Sequence, residues 1–330
     1  MLYTYDSSLI YSLLMTLPLV IVNPASADGA TRENWPKIAS DLRTHFGAFT
    51  VAFTEAPGHA RTLATEAAKQ RAKLIIACGG DGTISEVANG IIESNTEAEL
   101  GILPAGTGSD FRRSIGVSHG VADAARSLRD GRTKIIDAVR VTFINDGGER
   151  ETRYSINVAS FGMSTEVLDR AASGEAKKWV PAFTPRKVTS KLSYAAATVQ
   201  TTLAASPADV LVEIDERPER RLRVAEFCVA NARYYGGAMK VAPDAKLDDG
   251  YFDVITIGDA NSFRLLTNAP RLYFGAHLRM SEVTHELAKQ VVARPTSKDK
   301  EVRIELDGEV LGRLPSTFQI VPRALRVRFA

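Results

Sequence analysis

The sequence predicts two domains in one chain. The first is an α/β half built on a mainly parallel sheet; the second is a β-rich half folded as an antiparallel sandwich. Three observations lead there. The chain has 330 residues, more than the roughly 100–200 of a typical single domain. Strand and helix signals alternate up to about residue 140, the pattern of a parallel sheet covered on both faces. From about Thr133 strand signals dominate, punctuated by Asp146-Gly147, Asp249-Gly250 and Asp307-Gly308, as in an antiparallel sandwich or barrel. The domains are drawn at 15–140, with 316–330 returning to the first, and at 141–315.

Each element has its own local reason. Leu19–Val22 is an apolar run stopped by Asn23-Pro24, a buried strand ending in a turn. Arg32–Phe46 places Trp35, Ile38, Leu42 and Phe46 at helical spacing, and Pro36 fits only near its first turn. Phe49–Phe53 reads as a strand, His59–Ala72 as an Ala-rich helix and Lys73–Cys78 as a buried strand. Ile84–Ile92 is a helix, Leu100–Leu103 a short strand and Val121–Arg129 a helix. The second half offers strands at Lys134–Ile144, Arg153–Val158, Val210–Ile214, Arg221–Cys228, Phe252–Ile257, Glu301–Leu306 and Ala324–Phe329. Lys191–Ala204 and Ser262–Ala276 read as helical insertions.

Composition excludes several classes. With 45% hydrophobic and 24% charged residues the chain can bury real cores. Its 41 basic and 39 acidic residues leave a net charge of +2, no footprint for a nucleic-acid binder. Cys78 and Cys228 sit in apolar runs and read as buried small hydrophobes. The five histidines show no metal-ligand spacing. Leu9–Val22 is largely apolar but lacks a basic flank and is shorter than the roughly 20 residues of a membrane span. A cytoplasmic protein is expected, with Met15 as its natural start and residues 1–14 an over-extension of the reading frame.

The chemistry concentrates in glycine-rich turns. Cys78-Gly-Gly-Asp-Gly-Thr-Ile-Ser-Glu-Val-Ala-Asn-Gly90 follows a buried strand and opens a helix. Glycines there let the backbone approach an anion, and the helix N-terminus presents free N–H groups. Neither a GxxxxGK[ST] nor a GxGxxG pattern is present. Asp81 inside the turn would repel phosphate unless a metal ion or a transferable proton is involved; taken alone, the stretch is a strand–helix turn capped by Asp81. Leu103-Pro-Ala-Gly-Thr-Gly-Ser-Asp-Phe111 is a second such turn after the next strand. In a parallel sheet the C-terminal strand ends share one edge, where ligands bind. Asn23, Thr54, Gly79–Thr83 and Gly106–Asp110 are thereby delivered to one rim.

These motifs resemble the diacylglycerol kinase catalytic-domain family, specifically bacterial lipid kinases related to sphingosine and ceramide kinases. The family pattern G-G-D-G-T-x-x-E-V-x-N-G is met by Gly79, Gly80, Asp81, Gly82, Thr83, Glu86, Val87, Asn89 and Gly90. Its P-x-G-T-x-N-D-F is met by Pro104, Gly106, Thr107, Asp110 and Phe111. Asn157–Gly162, Asn231–Gly237, Pro243–Gly250 and Asp307-Gly308-Glu309 match further on, so that the resemblance runs from about Leu17 to the C-terminus. Two positions depart: Ala27 stands where the N-P-x-S-G loop has glycine, and Ser109 where the second turn has asparagine.

The resemblance implies an NAD kinase/diacylglycerol kinase-like fold with ATP between the domains. Asn23, Pro24, Ala25, Ser26, Ala27, Thr54, Gly79, Gly80, Asp81, Gly82, Thr83, Ile84, Ser85 and Thr107 would surround the nucleotide. It also implies Mg²⁺ held by Asp249 and the backbone carbonyls of Lys246 and Tyr251; without the resemblance that stretch is an ordinary hairpin turn. The expected reaction passes the γ-phosphoryl group of ATP to a lipid hydroxyl, diacylglycerol or a related glycerolipid, which needs positioning and charge neutralisation above all. Glu309 ranks first as the proton acceptor and Asp81 is its rival. Asp110 faces the acceptor or orders its loop. A membrane-resident acceptor requires peripheral docking, for which Glu175–Tyr194 offers basic and aromatic residues. A homodimer stays open, as do two other readings: an NAD kinase-like enzyme, and a non-catalytic lipid- or nucleotide-binding protein.

Overall fold

The structure, a computed structural model, describes residues 17–105, 110–173, 207–259, 262–297 and 299–329. It divides into one unit of Met1–Ile136 with Arg323–Ala330 and another of Asp137–Pro322. The chain passes between the units inside two long strands, near Ile136 and near Pro322.

The first unit alternates β1 (Leu19–Val22), α1 (Ala30–His45), β2 (Thr50–Phe53), α2 (His59–Lys69), β3 (Leu74–Gly79), α3 (Asp81–Ser94), β4 (Glu99–Pro104), α4 (Asp110–Ser114) and α5 (Val121–Asp130). Its strands pair in parallel in the order β2-β1-β3-β4. Beyond β4 lies the end of the last strand of the chain, with Arg326 and Val327 opposite Glu99 and Leu100. α2 packs on α3, and α1 on α5. A sheet covered on both faces needs strands that are apolar throughout: Val20, Ile21 and Val22 of β1 and Ile75–Cys78 of β3 are fully buried. The α2–α3 contact depends on Gly90, where a Cβ would lie 2.3 Å from the Arg61 carbonyl oxygen. α1 begins two residues before the expected start, after Gly29. Pro36 therefore lies in the second turn, not the first.

The second unit is antiparallel. Its strands are β5 (Thr133–Asn145, which enters from the first unit), β6 (Arg150–Ser155), β7 (Val158–Gly162), β8 (Ala208–Ile214), β9 (Arg220–Ala230), β10 (Phe252–Gly258), β11 (Val283–Ala288), β12 (Gln290–Pro295), β13 (Arg303–Leu306) and β14 (Glu309–Arg328). Two helices accompany them, α6 (Met163–Ser173) and α7 (Ser262–Phe274). The ladders run β8-β9-β7-β13-β14-β12 and return to β8. They enclose an apolar core in which Phe161 stacks on Phe227 with ring centroids 4.7 Å apart. β10 and β11 extend the β9 edge. A second apolar cluster, including Val158, Cys228, Ile255 and Val241, covers the opposite face of β7, β9 and β10.

Arg153–Val158, expected as one strand, is two. The chain turns at Ile156-Asn157 because the buried Asp307 carboxylate accepts the backbone N–H groups of Ile156, Asn157 and Val158 and the Ser155 hydroxyl. Ala324–Phe329, expected as a short strand, is the end of the 20-residue β14. Cys78 and Cys228 are buried and free, and burial pushes the Cys78 thiol up to about 12. Among the described residues no helix is long and apolar enough to cross a membrane. Residues 1–14, Thr107, Ser109, the Lys191–Ala204 insertion and the Glu175–Tyr194 stretch lie outside the described residues.

Candidate active site

In the first unit the strand order turns back on itself between β1 and β3, since β1 connects outward to β2 and β3 outward to β4. Connections on the two sides of such a point leave it by opposite faces and open a crevice at the C-terminal strand ends. Asn23 ends β1 and the first glycine turn ends β3. They are tied directly: Asn23 donates its backbone N–H to the Cys78 carbonyl and Nδ2–H to Thr83 Oγ1, each at 3.0 Å. The same rim holds Thr54, whose N–H reaches the Val22 carbonyl, and Ala105, whose N–H reaches that of Gly79.

The glycine turn itself is cramped. A Cβ on Gly79 would lie 2.4 Å from Thr83 Oγ1, so a larger residue there would displace the hydroxyl that Asn23 holds. Gly80 precedes α3 in an extended conformation and no side chain caps the helix. The first-turn N–H groups of an α-helix have no partner within the helix, which makes such an end suited to an anion. Asp81 does not cap its own helix: its Oδ1 accepts the backbone N–H of Asp110 at 2.9 Å, at the start of α4. Asp110 is buried and paired with Arg113 at 2.6 Å. Burial and the Arg113 cation lower the Arg112 pKa against the pull of Asp81 and Asp110.

The rest of the first motif is structural. Glu86 accepts the N–H groups of Gly58 and Ala60 at 2.8 and 2.9 Å, capping α2. The Asn89 side chain donates to the Ser85 carbonyl. The division falls after Ser85: the residues before it face the rim, and those after it bind helices together.

The loop after β1 is an Asx turn, in which the Ala25 N–H donates to Asn23 Oδ1 at 3.0 Å. Ser26 Oγ donates to the Asn23 carbonyl and exchanges a hydrogen bond with Thr31, which donates to the Ala105 carbonyl. Ala27, the departure from the family glycine, has φ +54°, followed by Asp28 and Gly29 at +55° and +85°. The loop thus keeps a left-handed backbone at an alanine, which costs about 1–2 kcal/mol. Ala27→Gly is expected to raise stability by roughly 0.5–1 kcal/mol after the extra freedom of the unfolded glycine is subtracted. Urea unfolding checks this; an unchanged or lower midpoint would contradict it.

In the second unit, the 246–251 turn is fixed by a residue not singled out from the sequence. Asp137 is buried, and its Oδ2 accepts the Gly250 N–H at 2.7 Å while its backbone N–H reaches the Leu247 carbonyl. Asp249 is exposed and accepts the Tyr251 N–H at 3.1 Å. Close by, Asn231 Nδ2 donates to the Asp137 carbonyl, while Asn231 Oδ1 and Asn157 Oδ1 are buried without a donor. Buried acceptors of that kind call for water or a cation. One carboxylate, two carbonyls and an open side form the hard-oxygen set that suits Mg²⁺ with part of its water shell. The residues present therefore fit the expected ion. Two residues on, burial raises the Asp253 carboxyl pKa, although His285 donates or accepts at 2.6 Å.

Asp307-Gly308 closes the β13–β14 hairpin with φ +51° and +93°, the two-residue turn that Asp-Gly favours. Glu309 is half-buried and opens β14 opposite Leu306. Asp307 holds the turn between β6 and β7, and Glu309 stands two residues on, at the start of β14. The site residues fall into two sets, one on each unit: the rim from Asn23 to Ser85 with Thr54, and the 246–251 turn with Glu309.

A second acidic pair also escaped the sequence reading. Glu226 and Glu305 are buried on the face of β9 and β13 opposite the Phe161 core. Ser160 Oγ donates to Glu305 at 2.9 Å and meets Ser164 Oγ at 2.7 Å; the Ser164 N–H, in the first turn of α6, donates to Glu226 at 2.9 Å. Burial pushes the Glu226 carboxyl up to about 7, against the hydrogen bonds from Ser164 and Ser160.

Comparison with known proteins covers most of the chain. A family model described as diacylglycerol kinase catalytic domain matches residues 18–141. Another, described as YegS C-terminal NAD kinase beta sandwich-like domain, matches residues 172–329. The diacylglycerol kinase of Staphylococcus haemolyticus is 30% identical over 312 residues, spanning 93% of this chain and 86% of its own. That of Bacillus subtilis is 28% identical over 309 residues, spanning 93% and 94%. A crystal structure of a diacylglycerol kinase from Bacillus anthracis shares the fold, with a TM-score of 0.66 at 21% identity over 95% of this chain and 97% of that one.

Proposed function

The chain belongs to the diacylglycerol kinase family of phosphotransferases with an alcohol acceptor, and from that premise we propose that it passes the γ-phosphoryl group of ATP, with Mg²⁺, to the hydroxyl of a membrane lipid. Diacylglycerol or a related glycerolipid is the expected acceptor. The observation that carries this reading is the Asn23–Thr83 bond across the strand-order reversal: it joins the turn after β1 to the glycine turn after β3 at the point where the fold opens a crevice.

The geometry within each unit supports the following roles. Backbone N–H groups at the start of α3 receive the nucleotide phosphates. Asn23 holds the Thr83 hydroxyl clear of that path, and Asp81 directs its charge at the Asp110 N–H, which lowers its repulsion of the phosphates. Asp249, with the Lys246 and Tyr251 carbonyls, would hold Mg²⁺, which when bound supplies positive charge against the phosphate oxygens. Glu309 takes the proton of the acceptor hydroxyl as its oxygen bonds to the γ-phosphorus. The bond from that phosphorus to the bridging oxygen breaks, and ADP leaves with the electron pair. Docking at the membrane surface brings the acceptor within reach. The NAD kinase-like reading rests on the sandwich-like domain match, and adding NAD as a competing acceptor separates the two.

Titration calorimetry tests the nucleotide half. Wild type is expected to bind ATP more tightly with Mg²⁺ than without, and Asn23→Ala to weaken binding by about five- to tenfold through the lost, partly buried hydrogen bond to Thr83. A folded protein that takes up no ATP would contradict the reading.

A further inference from the structure

The most exposed large apolar side chain among the described residues is Phe274, 81% accessible, next to Tyr273 at 49%. Both stand at the C-terminal end of α7. The helix is anchored elsewhere: Leu265 packs on the Val158–Ile255 cluster, and the Leu272 carbonyl accepts the Lys240 N–H at 2.8 Å. That bond seats the Tyr234–Lys240 turn against the helix end, with the Lys240 ammonium 5.7 Å from the Tyr234 ring centre. The turn is self-closed, since Tyr235 and Met239 exchange both backbone hydrogen bonds at 3.0 Å. Neither aromatic is therefore needed for packing.

Charge says what covers them. Residues 262–281 carry Arg264, Arg271 and Arg279 and no Asp or Glu; residues 231–243 carry Arg233 and Lys240 and again no Asp or Glu. Arg264 is spent on Glu282 at 2.5 Å and Arg233 on the Ala245 carbonyl at 3.0 Å. Arg271 and Arg279 are exposed on the same segment as the aromatics. Exposed aromatics on a segment with two exposed arginines, and with acids only at its margins (Asp244, and Glu282 paired to Arg264), match the headgroup layer of an anionic bilayer. There, aromatic rings settle at the interface and each basic residue gains about 1 kcal/mol from the surface potential.

We infer that the end of α7 and the Tyr234–Lys240 turn form a docking surface for an anionic lipid bilayer. Tyr273 and Phe274 enter the headgroup layer, and Lys240, Arg271 and Arg279 meet the lipid phosphates. The inference rests on the lipid-acceptor reading for its purpose, but its test is independent of turnover. Co-sedimentation without ATP compares vesicles of phosphatidylcholine alone with vesicles that also contain phosphatidylglycerol. Wild type is expected to prefer the anionic vesicles and to release them as salt rises. The Tyr273→Ser/Phe274→Ser pair is expected to lose about tenfold or more in partitioning. Arg271→Gln and Arg279→Gln are each expected to lose about fivefold, the ratio for 1 kcal/mol. Near-UV circular dichroism confirms that the variants fold.

Equal binding by wild type and variants, no binding by wild type, or indifference to lipid charge overturns the inference. So does sedimentation showing a wild-type dimer that Phe274→Ser splits, which would assign the patch to a second copy of the chain. Vesicle binding through this patch by a protein that phosphorylates no lipid leaves the surface standing and removes the kinase reading. Lipid phosphorylation in detergent micelles, with vesicle binding unaffected by the substitutions, removes the surface alone.

Discussion

Glu309→Gln is expected to lower lipid phosphorylation by about two to four orders of magnitude, the contribution of a positioned general base, with folding and ATP affinity unchanged. Glutamine keeps the volume and one acceptor oxygen but cannot take a proton. Glu309 is half-buried at the first position of β14, where such an exchange leaves the hairpin intact. The control is two residues away. Asp307 is buried and receives one hydroxyl and three backbone N–H groups, so Asp307→Ala is expected to destabilise the second unit by about 3–5 kcal/mol. Activity loss with a normal melt at Glu309, against a failed melt at Asp307, separates chemistry from scaffold. Asp81→Asn decides the rivalry: if it abolishes turnover while Glu309→Gln retains most of it, the proton acceptor has been assigned to the wrong carboxylate.

The pH dependence of stability should carry the mark of Glu226. Its carboxyl is raised from 4.5 to about 7, chiefly by burial. Between those values the folded protein holds a proton that the unfolded chain releases. Stability is therefore fully supported below about pH 4.5 and falls as pH rises toward 7. The loss on this account is about 3 kcal/mol. Glu226→Gln cannot ionise, so the variant should gain on wild type as pH goes from 5 to 8. Its amide oxygen can still accept the Ser164 N–H. Urea unfolding of both proteins at the two pH values measures the difference and cancels all other titrations. A constant gap would mean that Glu226 is ionised throughout, and that the Ser160–Ser164 network, not burial, governs it.

How much was legible follows from the range of each cause. β3 could be read because Leu74–Gly79 is buried on both faces and its sequence is unbroken apolar. The rim was legible because glycine turns announce themselves and parallel strands share an edge. β11 was missed because Thr284, His285 and Glu286 interrupt its apolar pattern at the sheet margin. β14 carries Pro315 and Pro322, which are rare inside a strand and obscure its length. α6 follows β7 directly, with Gly162 alone at the junction. The missed site residues act over long sequence distances. Asp137 is 113 residues from the Gly250 it holds, Glu86 is 28 from Gly58, and Asp307 is 151 from Ile156. No local pattern encodes such partners. Glu226 did leave a signal, a lone charge inside Val224-Ala-Glu-Phe-Cys-Val229, and a buried charge in an apolar strand calls for a partner.

The most direct test is transfer of labelled γ-phosphate from ATP. The purified protein is mixed with Mg²⁺ and diacylglycerol in detergent micelles, NAD is added as a competitor, and the lipid fraction is counted over time. The account predicts label entering the lipid linearly in time, dependent on Mg²⁺ and lost in Glu309→Gln. Label in NAD alone, or none in any acceptor from a folded protein that binds ATP, would contradict it.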